Sequence, residues 1–190
     1  MYNGKFMSLN KSFYFIRHAE TDYNRKNIYM GSLDVPLNQF GRQQASIAAK
    51  ILKDEPLDFI VSSPLARAKS TAEIIAAEIG KEIIFINELQ ECVIGMEGCS
   101  INKGEAIQDW LTGKLINPPE TIEEFEKRII SGFQKALSLN GMVLVVSHGG
   151  VYAALRRVLN LPAIHIKNCM IMYHRLVDEG KNLYYSQIIE

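Results

Sequence analysis

Short apolar runs recur along the chain at 12–16 (SFYFI), 58–62 (DFIVS), 82–86 (EIIFI) and 142–146 (MVLVV), with helical periodicity in most of the intervals between them. The last run is five unbroken apolar residues, the pattern of a strand buried on both faces. Between the first two runs, 41–55 sets Ala45, Ala48, Ala49 and Leu52 on one helical stripe. After the second, Ser63 is placed to cap a helix, Pro64 to take its first position and Gly80 to end it, with Ile74, Ile75 and Ile79 facing the core. The segment 121–141 opens with Thr121 and Glu124 at capping-box spacing and continues as an amphipathic helix closed by a glycine. A further helix is expected over 150–160, and two β-rich runs separated by DEGKN predict a closing hairpin.

Strand–helix alternation of this kind predicts an α/β fold. It would be a three-layer α/β/α sandwich around a mostly parallel sheet, with the hairpin as an antiparallel edge. The segment 95–120 breaks the rhythm. It is glycine-rich and polar with one weak helix over Glu105–Leu111, and reads as a short lid-like excursion from a single domain spanning 1–190.

Composition narrows the picture. The 190 residues carry 21 basic and 21 acidic side chains, and this zero net charge argues against a dedicated nucleic-acid binder. Apolar content of 47% and charged content of 22% fit a globular chain. No apolar run reaches the roughly 18 residues of a membrane span. Three cysteines without a CxxC pair argue against a zinc site or disulfide framework, and the first eleven residues lack the apolar stretch of a signal peptide. A cytoplasmic protein without a resident metal or cofactor is expected. The terminal LYYSQIIE could pair across a homodimer as an edge strand.

The chemistry sits where the apolar runs stop. The first ends in Arg17 and His18, the second is followed by Arg67, the third by Glu88 and Glu91, and the fourth by His148, Gly149 and Gly150. In an open α/β sheet, ligands bind outside the carboxyl ends of the strands. Parallel strands would bring two Arg, two His and at least one Glu to that edge. Guanidinium forks match phosphate oxygens, and helix starts at 63–64 and 149–150 could add N–H donors. A neutral imidazole there can be a nucleophile, and a carboxyl group can move the protons.

These residues also carry a resemblance. RHAETDYN is similar to the RHGETxxN signature of the histidine phosphatase superfamily, the phosphoglycerate mutase-like family. DVPLNQFGRQQA, VSSPLARAKSTAEII, LQECVIGMEG, PETIEEFEKRI and VVSHGG resemble its other blocks, in family order, over roughly 13–150. The resemblance implies a phosphoglycerate mutase-like fold with His18 as the nucleophile that becomes phosphohistidine. Arg17, Arg67 and His148 would grip the phosphoryl oxygens, Glu91 would donate and accept the proton, and Asn24, Thr21 and Gly149 would line the phosphate pocket. Two positions depart from the pattern: Ala19 and Pro119 each stand where the family has glycine.

The resemblance admits hydrolysis or mutase chemistry. A mutase needs a covering insertion and additional cations to retain a bisphosphorylated intermediate. Only 48 residues separate Gly98 from Ser147; their basic residues are Lys103, Lys114, Lys127, Arg128 and Lys135, the last three on a helix where a solvated face is the expectation. The favoured reading is a metal-independent phosphomonoesterase acting on a small phosphorylated metabolite. The alternatives are a cofactor-dependent phosphoglycerate mutase or a catalytically weak phosphate-binding protein. Trp110, Tyr23, Tyr29 and Met30 are candidates to stack on a flat substrate, and Cys92 reads as a small buried residue.

Overall fold

A computed structural model describes residue 9 and residues 11–100, 105–178 and 183–189. The strands are β1 (Phe13–Arg17), β2 (Phe59–Ser62), β3 (Ile83–Phe85), β4 (Val143–Ser147), β5 (Ile171–Asp178) and β6 (Leu183–Ile189). The helices are α1 (Asp22–Arg25), α2 (Gln39–Leu52), α3 (Ala66–Ile79), α4 (Glu105–Leu111), α5 (Ile122–Leu137) and α6 (Gly149–Val158). One six-stranded sheet has the order β3-β2-β4-β1-β5-β6. The first four strands in that order are parallel, and β5 and β6 are added antiparallel. The expected α/β sandwich is therefore present, with the hairpin at one edge; its turn, 179–182, lies outside the described residues.

Alternation along the two central strands builds the layers. Phe13 and Phe15 of β1 and Val143 and Val145 of β4 join one core with Phe133 of α5 and Tyr152 of α6. Their neighbours Tyr14, Ile16, Leu144 and Val146 join a second core with Ala48, Ala49 and Leu52 of α2 and Ala68, Ala72 and Ile75 of α3. Each such Val, Leu, Ile or Phe, fully buried, contributes about 1.5–3 kcal/mol. Helices thus cover both faces, and chain crossings to opposite faces open a crevice at the carboxyl ends of β1, β4 and β2.

Helix ends follow the sequence in part. Thr121 and Glu124 form the reciprocal capping box of α5, and Gly80 ends α3 in the left-handed conformation (φ 69°). The start of α3 differs from the expectation. It begins at Ala66 rather than at Pro64, and its Ala66 N–H is taken by Asp34 Oδ1 from a distant loop (2.5 Å). Ser63 does not cap it in the expected way, because its hydroxyl is engaged elsewhere. Gly41, in the first turn of α2, allows the closest helix approach: a Cβ there would lie 2.1 Å from the Glu20 carbonyl oxygen, inside van der Waals contact. The helix therefore rests directly on the backbone that follows β1. The excursion carries α4 where the sequence placed it. Trp110 of α4 is buried against Phe125 (ring centroids 5.6 Å) and donates its indole N–H to the Glu120 carbonyl (2.6 Å).

His174, on β5, is fully buried. It shares a hydrogen bond between Nδ1 and the Ser186 hydroxyl (2.7 Å) and stacks on Phe13 at 4.8 Å, while Nε2 has no partner. Burial pulls its pKa down to about 4. The unfolded chain takes up this proton below about pH 6.5 and the folded chain only near pH 4, so the folded state loses stability as pH falls between those values. We expect His174→Phe to flatten the pH dependence of the urea midpoint between pH 7 and 5 by about one proton, roughly 1.4 kcal/mol per pH unit. An unchanged slope would show that His174 takes up its proton alike in the folded and the unfolded chain.

Candidate active site

The carboxyl end of β1 presents Arg17 and His18 as the chain leaves the sheet. His18 N–H still bonds the Ser147 carbonyl of β4 (2.8 Å), so the ladder holds the residue although the strand has ended. Its carbonyl accepts from the Asn168 amide (2.8 Å), and the next N–H, of Ala19, is held by Thr71 Oγ1 of α3 (3.0 Å). The imidazole Nδ1 lies 2.8 Å from the Ala19 carbonyl oxygen, which can only accept, so Nδ1 carries the proton and Nε2 carries the free lone pair. Burial, then the charges of Arg67 and Arg17, push the His18 pKa well below its ordinary value. A neutral imidazole with a fixed lone pair is what nucleophilic attack requires. Ala19 creates no strain here: it is not among the described residues with positive φ, and its methyl packs with Leu37 and Ala45.

Around this ring the other strand ends contribute donors. Arg67, on the first turn of α3, is fully buried, and its forks donate to the carbonyls of Gly31 (2.7 Å) and Leu33 (2.8 Å). Arg17 donates through Nη1 to the Ile166 carbonyl (2.9 Å). His148 follows β4, its ring 5.3 Å from that of His18, with Nε2 2.8 Å from the Ser63 hydroxyl. That contact is where the expected helix cap has gone. Arg17 Nε, Arg67 Nε and His148 Nδ1 are buried without partners. Burial lowers the pKa of both arginines, the Glu91 carboxylate opposing the shift, and they remain protonated. His148 is held neutral by burial and by the same two cations. Two guanidinium charges and unsatisfied donors in one dry spot constitute a site for a doubly charged oxyanion.

Glu91 reaches the site from the loop after β3. One carboxylate oxygen accepts from the Gly150 N–H at the start of α6 (3.0 Å), the other from the Cys92 N–H (3.1 Å). A Cβ at 150 would lie 2.2 Å from Glu91 Oε1, so any larger residue there would displace the carboxylate. Glu88 instead lies outside the cleft, paired with Lys135. Two of the backbone N–H groups at these helix starts are already taken, Ala66 N–H by Asp34 and Gly150 N–H by Glu91.

The loop bearing Glu91 is gripped by a residue the sequence placed on a solvated face. Arg128 of α5 makes a two-pronged pair with Glu120 (2.7 and 2.8 Å) and donates to the carbonyls of Glu88 and Gln90 (both 2.9 Å). Its spacing from Glu120 is visible in the sequence; the carbonyls arriving from β3 are not.

Together Arg17, His18, Asn24, Arg67, Glu91 and Gly149 line a cleft of about 370 Å³, with His148 buried behind the cradle. Thr21 does not line it. Its hydroxyl accepts the Asn24 N–H (3.1 Å) and caps α1, so it holds Asn24 in place instead of reaching a ligand. Asn24 Oδ1 is taken by Thr21 N–H and Asn168, which leaves its amide nitrogen for the cleft. Tyr29, Met30, Trp110 and Cys92 form part of the wall, whereas Tyr23 does not. Burial raises the pKa of both the Tyr29 phenol and the Cys92 thiol, so both stay neutral. His165 also borders the cleft.

Comparison with known proteins gives a consistent result. Residues 13–182 match the model of the histidine phosphatase superfamily (branch 1). The chain is 34% identical over 92% of its length to a putative phosphoserine phosphatase 2 of Hydrogenobacter thermophilus, covering 94% of that protein. It is 32% identical over 83% of its length to a probable phosphoglycerate mutase GpmB of Escherichia coli, covering 81% of it. In structure it is similar to the phosphoserine phosphatase of Entamoeba histolytica in complex with 3-phosphoglyceric acid, with a TM-score of 0.78, 23% identity, and coverage of 94% and 96% of the two chains.

An anion that fills the cradle stabilises the folded state by mass action, by about 2.7 kcal/mol at a hundredfold excess over its Kd. Inorganic phosphate is therefore expected to raise the melting temperature in a concentration-dependent way. Arg67→Ala should abolish that rise, and Arg128→Ala should leave the phosphate Kd within about threefold, as measured by thermal shift titration.

Proposed function

The chain belongs to the histidine phosphatase superfamily, and on that premise we propose that it is a phosphomonoesterase working through a phosphohistidine at His18. One observation carries the reading: the Nδ1–H to Ala19 bond leaves the Nε2 lone pair of a neutral, buried imidazole beside two unpartnered guanidinium N–H groups. Of the two sequence relatives just named, one is a putative phosphoserine phosphatase and the other a probable phosphoglycerate mutase. The expected substrate is a small phosphorylated metabolite. We read the protein as cytoplasmic, and the outer strand β6 as the edge through which two copies could pair; none of the described helices is long and apolar enough to cross a membrane.

In the first step Nε2 of His18 attacks phosphorus and the P–O bond to the leaving alcohol breaks. Glu91, protonated, gives its proton to the departing oxygen. Arg17, Arg67, His148 and the Asn24 amide hold the three equatorial oxygens, where charge is greatest in the transition state. The ring of the phosphohistidine carries positive charge, and its Nδ1–H remains on the Ala19 carbonyl. In the second step water attacks phosphorus, Glu91 takes back a proton, and the P–N bond breaks to restore neutral His18 and release phosphate. Each half needs only groups of the chain, so no metal or cofactor is assigned a part.

Arg128 and Gly150 act through Glu91. They hold its backbone and its carboxylate, respectively, and so decide where the proton is delivered.

We expect p-nitrophenyl phosphate to be hydrolysed at a rate insensitive to EDTA, and His18→Ala to be inert. Equal inertness of wild type and variant would sink the enzyme reading, and loss of turnover in EDTA would sink the metal-free one. Mutase activity stimulated by 2,3-bisphosphoglycerate would replace hydrolysis with the alternative. Glu91→Gln should lower kcat on alkyl phosphates by about 10²–10⁴-fold. It should cost much less on p-nitrophenyl phosphate, whose leaving group needs no proton. Arg128→Lys should show the same leaving-group dependence in weaker form, because an ammonium cannot reproduce the fork.

A further inference from the structure

Past the phosphate cradle, the cleft is walled by hydrocarbon. Ile28, Tyr29, Ile107, Leu111, Ile164 and Ile166 face it from three separate segments of chain, over a floor of buried aromatic rings. At about 370 Å³ it lies in the range of pockets that enclose a whole small molecule, well beyond a phosphoryl group.

Two of the polar atoms in this wall are already engaged. Tyr29 Oη donates to the Cys92 carbonyl (2.9 Å) and Trp110 Nε1 to that of Glu120 (2.6 Å). Among the described residues, Arg157 and His165 are the lining groups outside the cradle that could carry positive charge. Arg157 is paired with Glu126 (2.7 Å), and His165 stands exposed at the mouth. A carboxylate a few atoms from the scissile phosphate would therefore lose its water against Ile and Leu side chains without gaining a cation, a costly exchange. An alkyl or aryl group of the same size would gain from the same walls.

We infer that the leaving group of the preferred substrate is apolar, an alkyl or aryl alcohol, and that anionic phosphorylated acids are disfavoured. This inference rests on the phosphomonoesterase reading above and concerns what the same site accepts beyond phosphorus. The wall selects by exclusion as much as by attraction, because the cradle already satisfies the phosphoryl group and gives every monoester the same anchor.

The test compares three monoesters whose leaving alcohols are close in acidity: ethyl phosphate, hexyl phosphate and 6-(phosphonooxy)hexanoate. Hexyl phosphate is expected to exceed both others in kcat/KM by about tenfold or more, a typical return on methylenes in an apolar pocket. Leu111→Lys should reverse the order of the hexyl and carboxypentyl esters while leaving ethyl phosphate within about threefold. Equal or faster turnover of the carboxylate ester by the wild type overturns the inference and leaves the phosphatase reading intact. So would a Leu111→Lys variant that turns over ethyl phosphate normally but keeps the wild-type order of the two hexyl-length esters. If none of the three esters, nor p-nitrophenyl phosphate, is hydrolysed, it is the phosphatase reading itself that fails.

Discussion

Two guanidinium groups at one edge of a sheet, Arg67 fully buried and Arg17 partly so, with no carboxylate in ion-pair contact among the described residues, set the terms for the rest of this molecule. Removing such charges from water is expensive unless every remaining donor is satisfied. The chain meets that demand only partly. Carbonyls of Gly31, Leu33 and Ile166 take three of the donors, and the imidazoles nearby are held neutral so that they add no further repulsion. What remains unsatisfied is complementary to a phosphate. The cradle is thus preorganised at the expense of the empty fold, the usual relation between a functional site and the stability around it.

Precision at His18 and Glu91 comes from outside the cleft. The backbone on either side of His18, the proposed nucleophile, is pinned by Ser147, Thr71 and Asn168, and the glycine at 41 lets α2 press against the following turn. Glu91 is set between a helix start and the arginine comb of α5. Each reacting group therefore answers to at least two different elements. Position errors of an ångström, which are costly in such chemistry, are suppressed by redundancy.

Much of this was legible in the chain. The five-residue run before Ser147 announced a doubly buried strand, the Thr121–Glu124 spacing gave a capping box that forms, and the polar residues after each apolar run do meet at one edge. What could not be read depends on partners remote in sequence. Ser63 looks like a cap until His148, 85 residues later, claims its hydroxyl. Arg128 sits among charged residues on an amphipathic helix, and nothing local reveals the carbonyls of Glu88 and Gln90 that it meets. Thr21 was misplaced for the opposite reason: its contacts are local, within a one-turn helix too short to be predicted from spacing. The apolar wall of the cleft draws on segments from Ile28 to Ile166, so no window of sequence displays it.

The position of β1 in the sheet has a consequence for how the protein is made. This strand leaves the ribosome well before both of its neighbours, Arg17 pairing with Ser147 and Phe13 with His174. At about 5–20 residues per second, the Phe13–Ile16 stretch waits on the order of 10 s before its first partner strand exists. For that interval the future centre of the sheet is an unpaired aromatic β-segment. The nascent chain, more than the finished enzyme, is where this protein is exposed to misassembly.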